Sequence, residues 1–382
     1  MMVSHLGQAQ GTAMTFRTSG WRGLKLQFAS ALLLGGIITA AAFRSAAAQA
    51  INEPEQSHSA TSRSVSLADL PALLRGQYPR VRAALVARDD CLLFEYYKAS
   101  LDAGAALRVN SITKSVLSIL IGIAIDKRLL RLDQKLSDLV PEISSHDLDA
   151  RLRDISVRHL LTMTSGFSPG GLVESGIPIT PHGMWRGILN RPIENAPGSH
   201  FLYDDQGAKL LSALLAEKIK QNEDSFARTY LFEPLGIKNY DWPSDAEGHL
   251  IGDGGLLLTA RDMIKIGLLY LHKGQWNGKQ LVSEDYVADS TAKHNDGGAP
   301  SHSAYGYLWW VGKTESGLDA FFAAGFGSQL IYVVPKLGVV VALASEASVA
   351  GGSVKFVNEN ILPTVVAAAN APACVNAVGN DQ

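Results

Sequence analysis

Ser111-Ile112-Thr113-Lys114 opens an apolar run that reads VLSILIGIAI over residues 116–125. The run is apolar on nearly every face, which predicts a helix buried in a core. Ser111 and Lys114 stand three residues apart, so a helix places their side chains on one face, one turn apart. Serine becomes a strong nucleophile when a neighbouring base takes its proton, and lysine can be that base if burial lowers its pKa.

The same pair has an interpretation that needs no catalysis. Ser111 can cap the helix, and Lys114 can extend its ammonium group from the helix start to solvent. The pattern S-x-x-K is short, and it recurs in Ser290-Thr291-Ala292-Lys293, ahead of the polar, turn-rich stretch His294–Gly298. We attribute that second match to chance.

Six further stretches decide between the two interpretations by their order and spacing. They are Arg108-Val109-Asn110, HLLTMTSG at 159–166, Pro197-Gly198-Ser199 before Tyr203, FEPLG at 232–236, GGL at 254–256 with TARD at 259–262, and YGYLWW at 305–310. With them, the chain from Val81 to Ala344 resembles the serine β-lactamase and penicillin-binding-protein superfamily. The resemblance is to the branch of class C β-lactamases, family VIII esterases and 6-aminohexanoate-dimer hydrolase.

The resemblance implies a role for Tyr203, the tyrosine of a Y-x-N motif. Such a tyrosine helps to deprotonate the serine and then protonates the leaving group; the alternative is a tyrosine that only packs near a helix start. Asp205 stands where asparagine is usual. An ion pair between Asp205 and Lys114 would keep the lysine charged and shift the base role to Tyr203. Alternatively, Asp205 is only a helix cap.

The third family element, K-T-G, is matched only by Ala323-Ala324-Gly325. In β-lactamases and D,D-peptidases the lysine helps to recognise a substrate carboxylate, so its absence lowers the expectation of both activities. The resemblance still implies an oxyanion hole formed by the amides of Phe326 and Ser111. Gly325 would allow the strand to approach the substrate closely; the alternative is a tight strand connection.

The expected fold is α+β, with an antiparallel sheet built from both chain ends and a mainly helical subdomain inserted between them. Alternation and turn signals predict strands at Val81–Ala87, Leu92–Tyr97, Tyr307–Val311, Phe321–Ala324, Gln329–Val334 and Val339–Ala344. Apolar spacing predicts helices at Gly207–Lys220 and Ala260–Leu271. The hydrolase domain is expected at residues 65–370, with a loose tail at 371–382.

The N-terminal segment predicts export. Residues 1–50 contain basic but no acidic residues, an apolar middle and Ala48-Gln49-Ala50 at the end, as in a secretory signal that starts at Met1 or Met14. Residues 51–64 form a polar leader. The protein is expected in the periplasm or outside the cell, with an uncleaved membrane anchor as the alternative.

Export permits a disulfide in a chain with two cysteines. The resemblance implies that the two ends of the domain meet at one end of the sheet, so a bridge between Cys91 and Cys374 is possible. Two unpaired thiols are the alternative.

Composition excludes several other functions. The 382 residues are 47% hydrophobic with a net charge of -2, which indicates a globular protein without affinity for nucleic acid. The sequence contains no H-E-x-x-H and no phosphate-binding loop. We therefore expect no metal and no cofactor, a small-molecule substrate, and no membrane contact beyond the signal segment.

These observations together predict a secreted serine hydrolase that cleaves small amides or carboxylic esters through an acyl-enzyme on Ser111. A β-lactamase or D,D-peptidase is one alternative, and a catalytically silent module that binds cell-wall peptide or a partner is another. The loops Ser168–Trp185 and His294–Ser303 are expected to shape the substrate pockets. The sequence leaves the substrate and the oligomeric state open.

Overall fold

The computed structural model describes residues 66–140, 143, 148–170, 187–346, 352–367, 374 and 376–377. The predicted signal at 1–50, the leader at 51–64 and most of the predicted pocket loop Ser168–Trp185 lie outside the described residues.

Among the described residues, nine strands form one antiparallel sheet with the order β13-β2-β1-β12-β11-β10-β9-β8-β7. Strands β1 and β2 from the start of the domain thus lie between β12 and β13 from its end, which confirms the predicted α+β architecture. The strands are β1 Val81–Arg88, β2 Cys91–Tyr97, β7 Asn295–Gly298, β8 Ser303–Tyr305, β9 Trp310–Lys313, β10 Asp319–Gly325, β11 Gln329–Val334, β12 Val339–Ser345 and β13 Asn376–Ala377.

Helices occupy most of the interval between β2 and β7, and others flank the sheet. The α-helices are α1 Leu70–Gln77, α2 Ile112–Asp126, α3 Leu136–Leu139, α4 Val157–Leu161, α5 Asp205–Ile219, α6 Glu223–Ala227, α7 Ala260–Leu271, α8 Glu284–Ser290, α9 Ser353–Phe356 and α10 Leu362–Ala367. Short 3-10 helices lie at Ala150–Asp154 and Pro335–Leu337, and π-helical turns at Arg228–Phe232 and Val357–Ile361. Two short strand pairs, β3 Leu107–Arg108 with β4 Leu257–Leu258 and β5 Gln275–Trp276 with β6 Lys279–Gln280, complete the described elements.

Helix α2 is the centre of the fold. Thirteen of its fifteen residues are buried, as its apolar run predicts. It packs against β10 and β11 of the sheet, against α5 and against α8. Core packing on several sides therefore fixes the helix that begins with the serine and the lysine.

The strand predicted at Tyr307–Val311 begins only at Trp310. Leu308 has a φ of 57°, which a strand cannot accommodate. Its amide donates to the carbonyl of Leu161, and its carbonyl accepts from Ser115 Oγ at 2.7 Å. These two bonds tie the segment to α4 and α2 in place of a strand ladder.

The stretch predicted as a turn-rich loop after Lys293 instead forms the edge strand β7. Asn295 pairs with Tyr305 of β8, and its side-chain amide donates to the carbonyl of Thr162 at 3.0 Å. The long-range partner on the segment after α4 was not apparent from local composition, which is rich in glycine and asparagine.

Cys91 and Cys374 form a disulfide, with their Cα atoms 5.4 Å apart. This pairing is the one that the resemblance made possible. Close to it, β13 pairs with the start of β2. Within the predicted loose tail, Cys374 and Asn376–Ala377 are thus bonded to the sheet.

Removing the disulfide is expected to destabilise the domain. The bond closes a loop of 283 residues, and such a cross-link typically contributes about 2–4 kcal/mol by restricting the unfolded chain. Thermal unfolding of the Cys91→Ala/Cys374→Ala variant should therefore occur at a lower temperature than that of the wild type. Reductant should lower the wild-type Tm to the variant's value and leave the variant unchanged; equal Tm values without reductant would contradict this.

Candidate active site

Ser111 lies at the N-terminus of α2, where two contacts fix the preceding backbone. The amide of Val109 donates to the carbonyl of Leu256 at 2.9 Å. Asn110 has a φ of 51°, and its side chain donates to the carbonyl of Phe326 at 2.7 Å. Ser111 occupies the cap position, but its side chain makes no capping hydrogen bond. The simple capping interpretation therefore does not describe Ser111.

Lys114 is 1% exposed, so it does not extend to solvent. Its ammonium contacts three acceptors: Ser111 Oγ at 3.0 Å, the carbonyl of Asp253 at 2.7 Å and Asp205 Oδ1 at 2.7 Å. Burial alone lowers the pKa of Lys114, but Tyr203 and the Asp205 carboxylate outweigh it, and the net pKa is raised. The structure thus favours a charged Lys114 over a neutral one.

Asp205 is the first residue of α5, and the cap of that helix is its neighbour. The carboxylate of Asp204 accepts a hydrogen bond from the amide of Gln206 at 3.0 Å. The capping interpretation therefore applies to Asp204. Asp205 is left to pair with Lys114, with about half of its side chain exposed.

Replacing Asp205 with asparagine is expected to change the pH dependence of turnover. Removing the carboxylate takes away one of the charges that raise the pKa of Lys114, so that pKa falls. The alkaline side of the kcat/KM profile should then move to lower pH. Asp154→Asn is a matched control, since Asp154 pairs with Lys135 on the surface. If the Asp205→Asn profile matched the wild type, Asp205 would not set the charge of Lys114.

Tyr203 lies beside the ammonium group of Lys114. The nitrogen is 5.0 Å from the centroid of the tyrosine ring. The same ring stacks on Trp310, with centroids 5.6 Å apart and planes inclined by 12°. Met163 holds the backbone on both sides of Tyr203: its carbonyl accepts from the amide of Leu202, and its sulfur accepts from the amide of Asp204. These contacts orient Tyr203 beside Lys114, and its role in proton transfer stays a prediction.

A buried ion pair next to Tyr203 was not predicted. Arg191 donates to both carboxylate oxygens of Asp204, at 2.9 and 2.8 Å, and to the carbonyl of Ser168. Both charged side chains are almost inaccessible, which such groups tolerate only when paired. The pair fixes the start of α5 directly after Tyr203. The available signal was a single charged residue, Arg191, in the stretch ILNRPI at 188–193, in which four of the other five residues are apolar.

The end of β10 approaches the start of α2 very closely. A Cβ on Gly325 would lie 2.3 Å from the carbonyl oxygen of Val109, so only glycine fits. The next residue, Phe326, is held by Asn110 and has an exposed side chain. The backbone of Phe326 thus lies beside the chain that leads into Ser111, which is compatible with the predicted oxyanion hole. The tight connection is also present, because Gly325 pairs with Gln329 and only residues 326–328 join β10 to β11.

The second S-x-x-K does not form a pair. Ser290 Oγ donates to the carbonyl of Val287 at 3.0 Å and is fully buried. Lys293 pairs instead with Asp296 on the surface. These contacts agree with the interpretation of this match as chance.

A family model described as beta-lactamase matches residues 67–365. The chain belongs to the β-lactamase family. A curated relative in this fold, the 6-aminohexanoate-dimer hydrolase of Paenarthrobacter ureafaciens, is 23% identical over 288 residues, which cover 69% of this chain and 72% of the relative. Family and relative make the chain a serine hydrolase.

Solved structures agree on the fold. A Bacillus anthracis protein described as a 6-aminohexanoate-dimer hydrolase is 18% identical with a TM-score of 0.65, covering 79% of this chain and 83% of that one. EstCE1, a hydrolase with promiscuous acyltransferase activity, is 15% identical with a TM-score of 0.65, covering 78% and 97%. An octameric penicillin-binding-protein homologue from Pyrococcus abyssi is 19% identical with a TM-score of 0.61, covering 79% and 77%.

No helix among the described residues is long and apolar enough to span a bilayer. In the same part of the chain, no three or more His, Cys, Asp or Glu side chains are grouped so that they could hold a metal ion.

Proposed function

We propose that this member of the β-lactamase family cleaves small amides or carboxylic esters through an acyl-enzyme on Ser111. The observation that carries the proposal is the buried ammonium of Lys114, which contacts Ser111 Oγ, the Asp205 carboxylate and the Asp253 carbonyl together. A buried lysine with a serine as a direct partner and a carboxylate as counter-ion is suited to stabilising negative charge as the serine loses its proton.

In the proposed reaction, Tyr203 acts as the phenolate: Ser111 Oγ attacks the substrate carbonyl carbon, and its proton passes to the Tyr203 oxygen. Lys114 stays charged and stabilises the oxygen that loses the proton. The amides of Ser111 and Phe326 hold the oxyanion of the tetrahedral intermediate. As the intermediate collapses, the bond to the leaving nitrogen or oxygen breaks and Tyr203 protonates that atom. Water then gives a proton to Tyr203 and attacks the acyl carbon; as the bond to Ser111 Oγ breaks, Tyr203 returns that proton to Ser111 and the acid is released.

The proposed substrates lack a carboxylate that the enzyme must recognise. The end of β10 carries Ala323, Ala324 and Gly325 in place of a cationic residue, and Lys114 is already paired with Asp205. These three residues of β10 would therefore offer a substrate carboxylate no positive partner. The relatives named above, a 6-aminohexanoate-dimer hydrolase and an acyltransferring hydrolase, support the choice of amides and esters.

Export belongs to the same proposal. The signal-like segment at 1–50 predicts that the mature enzyme acts in the periplasm or outside the cell. The bond between Cys91 and Cys374 supports this, since disulfides persist in oxidising compartments. Fractionation of the producing cells, with detection of the processed N-terminus by mass spectrometry, tests it; a full-length cytosolic protein would contradict it.

A paired substrate panel tests the proposed specificity. Neutral p-nitrophenyl esters and p-nitroanilides should be turned over faster than analogues with an added acyl-side carboxylate. A chromogenic β-lactam is expected to react slowly. Efficient β-lactam turnover would favour the β-lactamase alternative. Binding of cell-wall peptide that survives Ser111→Ala, with no turnover of any substrate, would favour the silent module.

A further inference from the structure

The loop Leu250–Asp253 carries the carbonyl that accepts a hydrogen bond from Lys114. The loop is wedged against α5, because a Cβ on Gly252 would lie 2.5 Å from the carbonyl oxygen of Ala208. The position of the Asp253 carbonyl, and with it that of the lysine, therefore depends on what holds this loop.

Glu223, the first residue of α6, holds the start of the loop. Its Oε2 accepts from the amide of Leu250 at 2.8 Å, and its Oε1 lies 2.7 Å from Ser212 Oγ. Ser212 Oγ also lies 2.8 Å from the carbonyl oxygen of Leu250. Glu223 is 1% exposed, so its two contacts must satisfy a carboxyl group removed from water, and the third contact ties Ser212 to the loop.

The number of protons decides which form of Glu223 fits. A serine hydroxyl donates one hydrogen bond, so an ionised Glu223 and the Leu250 carbonyl compete for the proton of Ser212. A neutral Glu223 removes the competition: its hydroxyl donates to Ser212, which donates to Leu250, while the other oxygen accepts from the Leu250 amide. The neutral acid satisfies all three contacts, and a buried polar group left without a partner is costly.

We infer that neutral Glu223 is a positioning residue, which holds the loop Leu250–Asp253 through Ser212 and thereby orients Lys114. The inference rests on the proposed function in that it takes Lys114 to act in catalysis. When Glu223 loses its proton, Ser212 turns to the carboxylate and the Leu250 carbonyl loses its donor. The loop then loosens, and the acceptor of Lys114 is no longer fixed.

Electrostatics agrees with the proton count. Burial raises the pKa of Glu223 to about 8, against the opposing hydrogen bonds from Ser212 and Leu250, and Asp245 raises it further. Because the folded protein binds this proton more tightly than the unfolded chain, stability falls as pH rises from about 4.5 towards 8. Other charged groups lie on the segments that pack around Glu223. The loop before Leu250 carries Asp245, Glu247 and His249. Asp224 of α6 pairs with Tyr240, and Lys209 of α5 pairs with Asp253.

Amide hydrogen exchange of the peptide that contains Leu250–Asp253 tests the inference in the full chain. After correction for the intrinsic rate, wild-type protection should fall by up to about tenfold between about pH 7 and about pH 9, following the neutral fraction of a group that titrates at about 8. Glu223→Gln should keep its protection, because the amide donates to Ser212 and accepts from Leu250. Parallel loss in Glu223→Gln and wild type would overturn the inference.

Three control variants separate this titration from others. Glu217→Gln makes the same change at an exposed position of α5 and should behave as the wild type. His249→Gln tests the histidine that contacts Asp245 and should leave the wild-type slope in place; loss of the slope would overturn the inference. Trp242→Phe removes the hydrogen bond to the Ile251 carbonyl; it should lower protection by a similar factor at every pH.

A second readout connects the loop to Ser111. The rate of labelling by a fluorophosphonate, divided by the rate for Glu223→Gln, should fall with the same pH dependence as the protection. Absence of labelling in the wild type would count against the proposed function, while the exchange data would still decide the role of Glu223. If Glu223→Gln does not fold, Ser212→Ala should lose loop protection at every pH, and retained protection would overturn the inference.

Discussion

Replacing Ser111 with alanine is expected to lower kcat/KM by at least about 10⁴-fold, the scale of losing a covalent nucleophile. The substitution removes the Oγ that would form the bond to the substrate carbonyl carbon. Lys114 keeps its contacts with Asp205 and the Asp253 carbonyl, so the ammonium stays paired. Little change in thermal stability is therefore expected, and the loss should lie in the chemical step.

Ser290→Ala is the matched control for this prediction. Ser290 belongs to the other S-x-x-K of the chain, but its hydroxyl bonds to a helix carbonyl and is buried. Steady-state hydrolysis of a p-nitrophenyl ester should be unchanged in this variant beyond any effect of folding. Wild-type turnover by a folded Ser111→Ala variant would contradict the acyl-enzyme mechanism.

Replacing Tyr203 with phenylalanine is expected to lower kcat by about 10²- to 10⁴-fold, the usual contribution of a positioned acid-base group. The variant removes only the hydroxyl, so the ring can keep its stacking on Trp310 and its place beside Lys114. Because Lys114 is held in its charged form, it cannot easily replace Tyr203 as proton acceptor. KM should change much less than kcat.

The leaving group supplies a control for Tyr203. A p-nitrophenolate leaves without a proton, whereas an alkyl alcohol or amine needs one, so Tyr203→Phe should impair amides and alkyl esters more than p-nitrophenyl esters. Equal losses for both would limit Tyr203 to deprotonation of Ser111. A loss of only a few-fold for every substrate would assign the base role to Lys114.

The fold and the Ser111–Lys114 pair could be predicted from the sequence because both depend on patterns of neighbouring residues. The apolar run after Lys114 can be satisfied only by burial, and α2 is buried on nearly all sides. Serine and lysine at three-residue spacing must then meet on one helix face, and they do so at 3.0 Å. The ion pair between Lys114 and the unusual Asp205 could also be proposed from the sequence, since a buried ammonium needs a counter-charge.

What the sequence did not indicate depends on partners far away in the chain. Arg191 donates a hydrogen bond to Asp204, thirteen residues further along the chain. The path of the backbone between them, which brings the two side chains together, cannot be read from the local sequence. Leu308 leaves the strand because it bonds to Leu161 and Ser115. Nothing in the sequence around Glu223 distinguishes it from a glutamate on a helix surface, but in the structure it is buried. The positions of these three residues depend on tertiary hydrogen bonds, which produce no periodic pattern of apolar residues in the sequence.

The most direct test of the central claim is the site of covalent modification by a fluorophosphonate probe. The purified protein would be treated with the probe, weighed intact, digested and mapped by mass spectrometry, with Ser111→Ala alongside. One adduct per chain on Ser111, absent from the variant, is the result that the proposed mechanism predicts. No adduct, or an adduct on another residue such as Ser290, would contradict it.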